Sequence, residues 1–178
     1  TNTLSLSGED AALFSINNRQ LRFQNAQGLD FETKSQYRVT VMVDDPSVGT
    51  TPDASIGFTL AITDVNEAPT DLTITPIVQS LPESANTPTP LTVAQLQIID
   101  DAIGTNSLTL AGPDAGFFVI SGTNLQFSSV SGLNFETKSS YQLIVRLNDN
   151  TIPGAQTISK NYALSITDVN EPPTAVSL

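Results

Sequence analysis

The chain has 178 residues, no His and no Cys, and 18 acids against seven bases, for a formal charge of −11. Histidine acid–base chemistry, thiol catalysis, thiolate zinc sites and disulfides are therefore excluded within these residues, and a charge of this sign repels nucleic-acid phosphates and anionic membrane surfaces. Apolar residues at 39% can fill a core, whereas aromatics at 6% and the absence of Trp leave little surface for stacking on sugars.

No apolar run approaches the ~20 residues of a membrane span. The length suits one domain or a short tandem of two. The chain opens at Thr1, Asn2, Thr3 in mid-pattern, without an initiator Met or a signal peptide, and is expected to be a fragment. Asp10 with Ala11 and Ala12 predicts a single helical turn or Asx-turn, a structural role. Tyr37, Val39, Val41 and Val43 alternate with Arg38, Thr40 and Met42, the period of a half-buried strand. Short strand-like runs follow at 72–77, 91–99 and 108–110. Asp114 with Ala115 and Gly116 repeats the turn, then come runs at 118–120 and 125–127, the alternating strand Tyr141, Leu143, Val145, Leu147, and a last run at 162–166. Gly, Pro, Asn and Asp clusters separate them. No helix longer than one turn is expected. Seven short strands in about 100 residues predict an all-β fold, an antiparallel immunoglobulin-like Greek-key sandwich.

The elements repeat. LDFETKSQY at residues 29–37 recurs as LNFETKSSY at 133–141, and the same offset of 104 aligns SLSGEDAALFSI with TLAGPDAGFFVI and TDVNEAPT with TDVNEPPT, without a gap. Residues 1–74 thus register on 105–178. The expected organisation is a partial repeat at 1–70 whose first strands are missing, a complete repeat at 71–174, and the start of a further one at 175–178. Ten of the 11 aromatics fall at repeat-equivalent positions in period with aliphatic neighbours, so they are assigned to the core. Copy one, without a counterpart of residues 71–104, is expected to expose an apolar edge that another chain could complete.

Twelve of the 18 acids fall in four short motifs: Asp30 and Glu32 in LDFE with Glu136 in LNFE; Asp64, Glu67, Asp168 and Glu171 in the two DVNE segments; Asp45 and Asp149 ending the Tyr strands; and Glu83 with Asp100 and Asp101. Isolated loop acids would merely be solvated. Gathering Asp30, Glu32, Asp64, Glu67, Asp100, Asp101 and Asp149 at one junction would splay the copies apart unless cations neutralised them. Oxygen-only ligands favour Ca²⁺ over transition metals.

These motifs resemble the cadherin-type tandem repeat, and are closest in pattern to the cadherin-like repeats of large bacterial exported proteins. The resemblance covers nearly the whole chain: the LPES segment with Glu83, the acidic IIDDAIGTN loop, LDFE and LNFE, the Tyr strand and the DVNE linker. It implies a calcium junction using Asp30, Glu32, Asp64, Asn66 and Glu67 from copy one with Asp100, Asp101 and Asp149 from copy two, and a terminal cluster of Glu83, Glu136, Asp168, Asn170 and Glu171. Departures are Ala68 where the animal linker carries a last Asn, Asn134 in place of the acid at Asp30, and adjacent Asp100 and Asp101, of which alternation would turn only one inward.

The implied function is a non-enzymatic, calcium-rigidified spacer and adhesion module at a cell surface or in secreted material. Its partners would be adjacent repeats of the same chain, and a homophilic or surface ligand. A calcium-dependent polysaccharide-binding module is the alternative, and neither nucleic acid nor membrane insertion is expected. Glycosidase chemistry is disfavoured, because its carboxyls must flank a bond about 5–9.5 Å apart across a cleft, unlike acids two residues apart on one turn.

Overall fold

A computed structural model gives the fold, and it describes residues 1–49 and 51–172; residues 175–178 lie outside these. The chain divides into two compact units, Thr1–Val65 and Asn66–Leu178.

In the first unit, strands β1 (Thr3–Ser7), β4 (Gln36–Asp44) and β5 (Ala54–Ala61) form one sheet in the order β1-β4-β5, and β2 (Phe14–Asn17) pairs with β3 (Gln20–Phe23). Every pairing is antiparallel. Asn18 and Arg19 join β2 to β3 with φ of 51° and 64°, the doubly left-handed turn that suits the twist of a tight hairpin. Phe14, Tyr37 and Val39 form a small buried core, with Leu6, Leu21, Phe23, Leu60 and Ile62 packed around it in partial exposure.

The second unit is a sandwich of two four-stranded sheets. One has the order β10 (Phe118–Ser121), β11 (Asn124–Ser129), β8 (Thr87–Ile99), β6 (Asp71–Pro76); the other has β7 (Ser80–Pro82), β13 (Ile158–Thr167), β12 (Ser140–Asp149), β9 (Asn106–Ala111). All neighbours are antiparallel except β7, which runs parallel to β13 over three residues. Between β6 and β7 the chain leaves one sheet for the other, a strand switch that the expected antiparallel arrangement did not include. Tyr141, Leu143, Val145 and Leu147 of β12 share one core with Leu164 of the neighbouring β13 and with Leu125 and Phe127 of the other sheet, each at most 5% exposed. The same row continues to Asp149, which is 1% exposed. Period-two alternation thus carries a carboxylate to the end of an apolar row.

The one-turn elements are 3-10 turns at Ala11–Leu13 and Ala115–Phe117, but Asp10 and Asp114 do not cap them with their side chains. Both carboxylates turn toward the LDFETK and LNFETK segments instead. Asp10 accepts from Lys34 Nζ at 2.6 Å and the Arg38 backbone N–H at 2.7 Å; Asp114 accepts from Lys138 Nζ at 2.8 Å and the Gln142 N–H at 2.7 Å. Each lysine lies over a tyrosine ring, Lys34 on Tyr37 and Lys138 on Tyr141. A buried carboxylate is tolerable when a cation and a backbone donor meet it.

Candidate metal centre

In the first unit, Asp30 opens a turn. Its Oδ1 accepts from the Thr33 N–H and its Oδ2 from Thr33 Oγ, both at 2.9 Å, and these bonds hold its carboxyl below the usual range. Asn134 of the second unit does the same through Oδ1 to the Thr137 N–H at 2.7 Å. The turn needs one acceptor oxygen, which is why an amide can stand where the first copy has an acid. Glu32 and Asp64 bring carboxylate oxygens within 4.8 Å of each other. The Glu32 backbone N–H pulls its carboxyl down, but loss of solvent and the Asp64 charge outweigh it and the net shift is upward. Asp64 Oδ1 is buried without a hydrogen-bond donor. Asp45 is engaged in its own loop, accepting from the Ser47 N–H at 3.0 Å and Oγ at 2.6 Å.

In the second unit, Asn66, Glu67, Asp100, Asp101 and Asp149 form one connected group. Asp149 accepts from Thr151 Oγ1 at 2.5 Å, the Thr151 N–H at 2.6 Å and Asn66 Nδ2 at 3.0 Å. Asp101 accepts from the Ile103 N–H at 2.8 Å and the Glu67 N–H at 2.9 Å. Asp100 accepts from Asn106 Nδ2 through Oδ2. Hydrogen bonds lower both Asp149, chiefly from the Thr151 hydroxyl, and Asp101, chiefly from the Glu67 amide. Both therefore remain ionised, yet no Lys or Arg pairs with Asp100, Asp101 or Asp149 among the described residues. Asp100 and Asp101 are both half-buried. Strand alternation does not apply to them, because β8 ends at Ile99 and the chain turns at Ala102, whose φ is 70°.

The donor set fits a hard cation. Asn66 and Asn106 spend their Nδ2 groups on Asp149 and Asp100, which leaves their carbonyl oxygens exposed to no donor; Asn66 Oδ1, Asn106 Oδ1 and Asp100 Oδ1 are all buried and unpaired. Buried acceptors are rarely left so. Gly104, at φ 80°, closes this loop against Asn66, and an added Cβ would collide with the Asn66 amide and the Thr151 hydroxyl. Orphaned amide and carboxylate oxygens beside an uncompensated buried anion are ligands of the calcium type. Asn106 and Thr151 were not among the residues singled out from sequence; the Asn closing IIDDAIGTN was the visible signal.

At the other end of this unit, Glu83, Glu136, Asp168 and Glu171 place carboxylate oxygens within 4.8 Å of one another. Glu83 also clips two segments together, accepting from the Phe135 N–H at 2.7 Å and the Val169 N–H at 2.8 Å. Those bonds, first that from Phe135, lower its carboxyl. Glu171 is raised, by desolvation first and then by Glu83 and the neighbouring negative charges. Asn170 lies exposed between Val169 and Glu171.

No family model matches the chain. Human protocadherin gamma-C4 is 33% identical over 151 residues, which is 82% of this chain and 16% of that protein. The chain thus spans about a sixth of the curated relative. Among solved structures, human mucin-like protocadherin EC1-2 superposes with a TM-score of 0.68 at 17% identity, covering 94% of this chain and 85% of the other. A protocadherin gammaB7 EC3-6 cis-dimer gives 0.65 at 22% identity, with 96% and 41% covered. The expected bacterial exported type is thereby overturned, since the relatives are vertebrate proteins. Among the described residues no helix is long and apolar enough to cross a membrane. The chain has the cadherin-type immunoglobulin-like sandwich fold and is a cadherin-like, extracellular module.

Proposed function

We propose that this chain is a calcium-binding adhesion and spacer module in which cations bound at the linker stiffen a tandem of repeats. The observation that carries the reading is the trio of buried, donorless oxygens of Asn66, Asp100 and Asn106 next to fully buried Asp149. Val65 and Asn66 share a peptide bond, so ligands at Asn66 lie two residues along the chain from Asp64 and its own orphaned Oδ1.

Asn66, Asp100, Asp101, Asp149 and Asn106 would hold calcium from the second unit, and Glu32, Asp64 and Asp30 would contribute from the first. Of these, Asp30 already spends both oxygens on its own turn and is the weakest candidate. Glu67 adds its carboxylate to the linker. Bound calcium supplies compensating positive charge and oxygen coordination. The chain's own residues hold the DVNE segment against the Asp100 loop through the Glu67 and Asn66 hydrogen bonds. Glu83, Glu136, Asp168, Asn170 and Glu171 would form a second station, toward a following repeat. The seven-strand Greek-key plan and the reading of residues 1–70 and 71–174 as a partial and a complete repeat belong to the same proposal. It is supported by the 104-residue offset.

Small-angle scattering with calcium and with chelator tests the mechanical part. A narrower distribution of dimensions with calcium supports it, and identical profiles would sink it. The variant Asn66→Ala should lose the difference.

A further inference from the structure

The acids of the second unit divide by what their oxygens meet. Asp100 leaves Oδ1 buried without a donor. Asp101 and Glu83 do the opposite, and each spends both oxygens on backbone N–H groups of two separate segments. Asp101 Oδ1 accepts from the Ile103 N–H at 2.8 Å, two residues along its own loop, while Oδ2 accepts from the Glu67 N–H at 2.9 Å, 34 residues earlier in the chain. Glu83 Oε2 accepts from the Phe135 N–H at 2.7 Å and Oε1 from the Val169 N–H at 2.8 Å, 52 and 86 residues away.

Bonds from backbone N–H to an ionised carboxylate are charge-assisted, roughly twice as strong as neutral ones. No Lys or Arg pairs with Asp101 or Glu83 among the described residues, whereas Asp10 and Asp114 are each met by a lysine. Backbone amides alone therefore meet these two charges from the protein side. Glu67 belongs to the first DVNE segment and Val169 to the second. Neither lies in a strand, so no sheet ladder holds these amides, and the carboxylates supply the acceptors that a ladder would otherwise provide.

We infer that Asp101 and Glu83 are positioning residues, two carboxylate clips that seat the DVNE segments on the second unit before any cation binds. Asp101 ties Glu67 to the loop between Asp100 and Asn106, and Glu83 ties Val169 to the LNFE turn that carries Glu136. Each clip thus holds together residues that the calcium reading above makes ligands. It rests on that reading for its purpose but not for its existence. A carboxylate oxygen that accepts one N–H keeps a further lone pair, so clipping does not use up its capacity for a cation.

Amide exchange of the isotope-labelled full chain in chelator tests the clips without calcium. The amides of Glu67, Ile103, Phe135 and Val169 should exchange on the order of tenfold or more slowly than those of an unstructured chain. Asp101→Ala should release Glu67 and Ile103 and leave Phe135 and Val169 protected, and Glu83→Ala should do the reverse. Two results would each overturn the inference. Either variant releases all four amides together, which is general loss of structure; or the Glu67 and Val169 amides of the unaltered chain exchange freely in chelator and gain protection only with calcium. The calcium reading fails on a different result, the absence of binding heat, so the two failures are told apart.

Discussion

The Lys of each ETKS motif is set by a carboxylate that lies 24 residues earlier, at Asp10 or Asp114. Burial raises the Asp114 carboxyl, and the bonds from Lys138 and the Gln142 N–H outweigh it, so the net shift is downward from 3.8. A depressed carboxylate stabilises the fold at pH above its unfolded value and loses that contribution as pH falls through the folded one. Asp114→Asn replaces a charge-assisted bond by a neutral one and should cost about 1 kcal/mol near neutral pH. In urea melts that difference should shrink as pH drops below 3.8; a cost constant with pH would assign the residue to packing alone. Glu171 has the opposite sign. Its carboxyl is raised among Glu83, Glu136 and Asp168, so its charge opposes folding without a cation. Glu171→Gln should raise Tm in chelator and weaken calcium binding on the order of tenfold. A variant that lowers Tm in chelator would show that repulsion is not what the cluster stores.

Strand by strand, buried apolar residues of the second unit have half-buried counterparts among the described residues of the first. Leu125→Ala, in a fully buried site, should destabilise its unit by about 2–5 kcal/mol. The paired change Leu21→Ala, at a half-buried position, should cost less than half as much, measured by denaturant unfolding of each variant. Equal costs would mean that the difference in burial between the two positions does not set their contribution to stability. Legibility in the sequence also varies by element. β12 was plain, because Tyr141, Leu143, Val145 and Leu147 alternate without interruption, and its next inward position is Asp149. β7 was not, because three residues, Ser80, Leu81 and Pro82, carry no period, and their pairing with β13 is set by the strand switch before them. Asp30 and Asn134 differ in charge but cap the same turn, a role that spacing alone did not separate from metal ligation.

Over the whole chain, the charge of −11 has a local meaning. Twelve of the 18 acids lie in four short motifs, and those around Asp149 carry no cationic partner among the described residues. The offset of 104 and the acid-rich motifs were readable from the letters. The orphaned carbonyls of Asn66 and Asn106 were not, because they arise from how each amide spends its Nδ2 group. Calorimetric titration of calcium into the calcium-stripped chain, paired with a melt in calcium and in chelator, decides whether the orphaned oxygens of Asn66, Asp100 and Asn106 hold a cation. Sites of about 0.1–1 mM, usual for extracellular modules, would stabilise by roughly 1.4–2.7 kcal/mol at about 10 mM calcium and raise Tm on the order of 5–10 °C. Saturable binding that Asn66→Ala and Asp149→Asn weaken is the expected result. No binding heat and an unchanged Tm would contradict it.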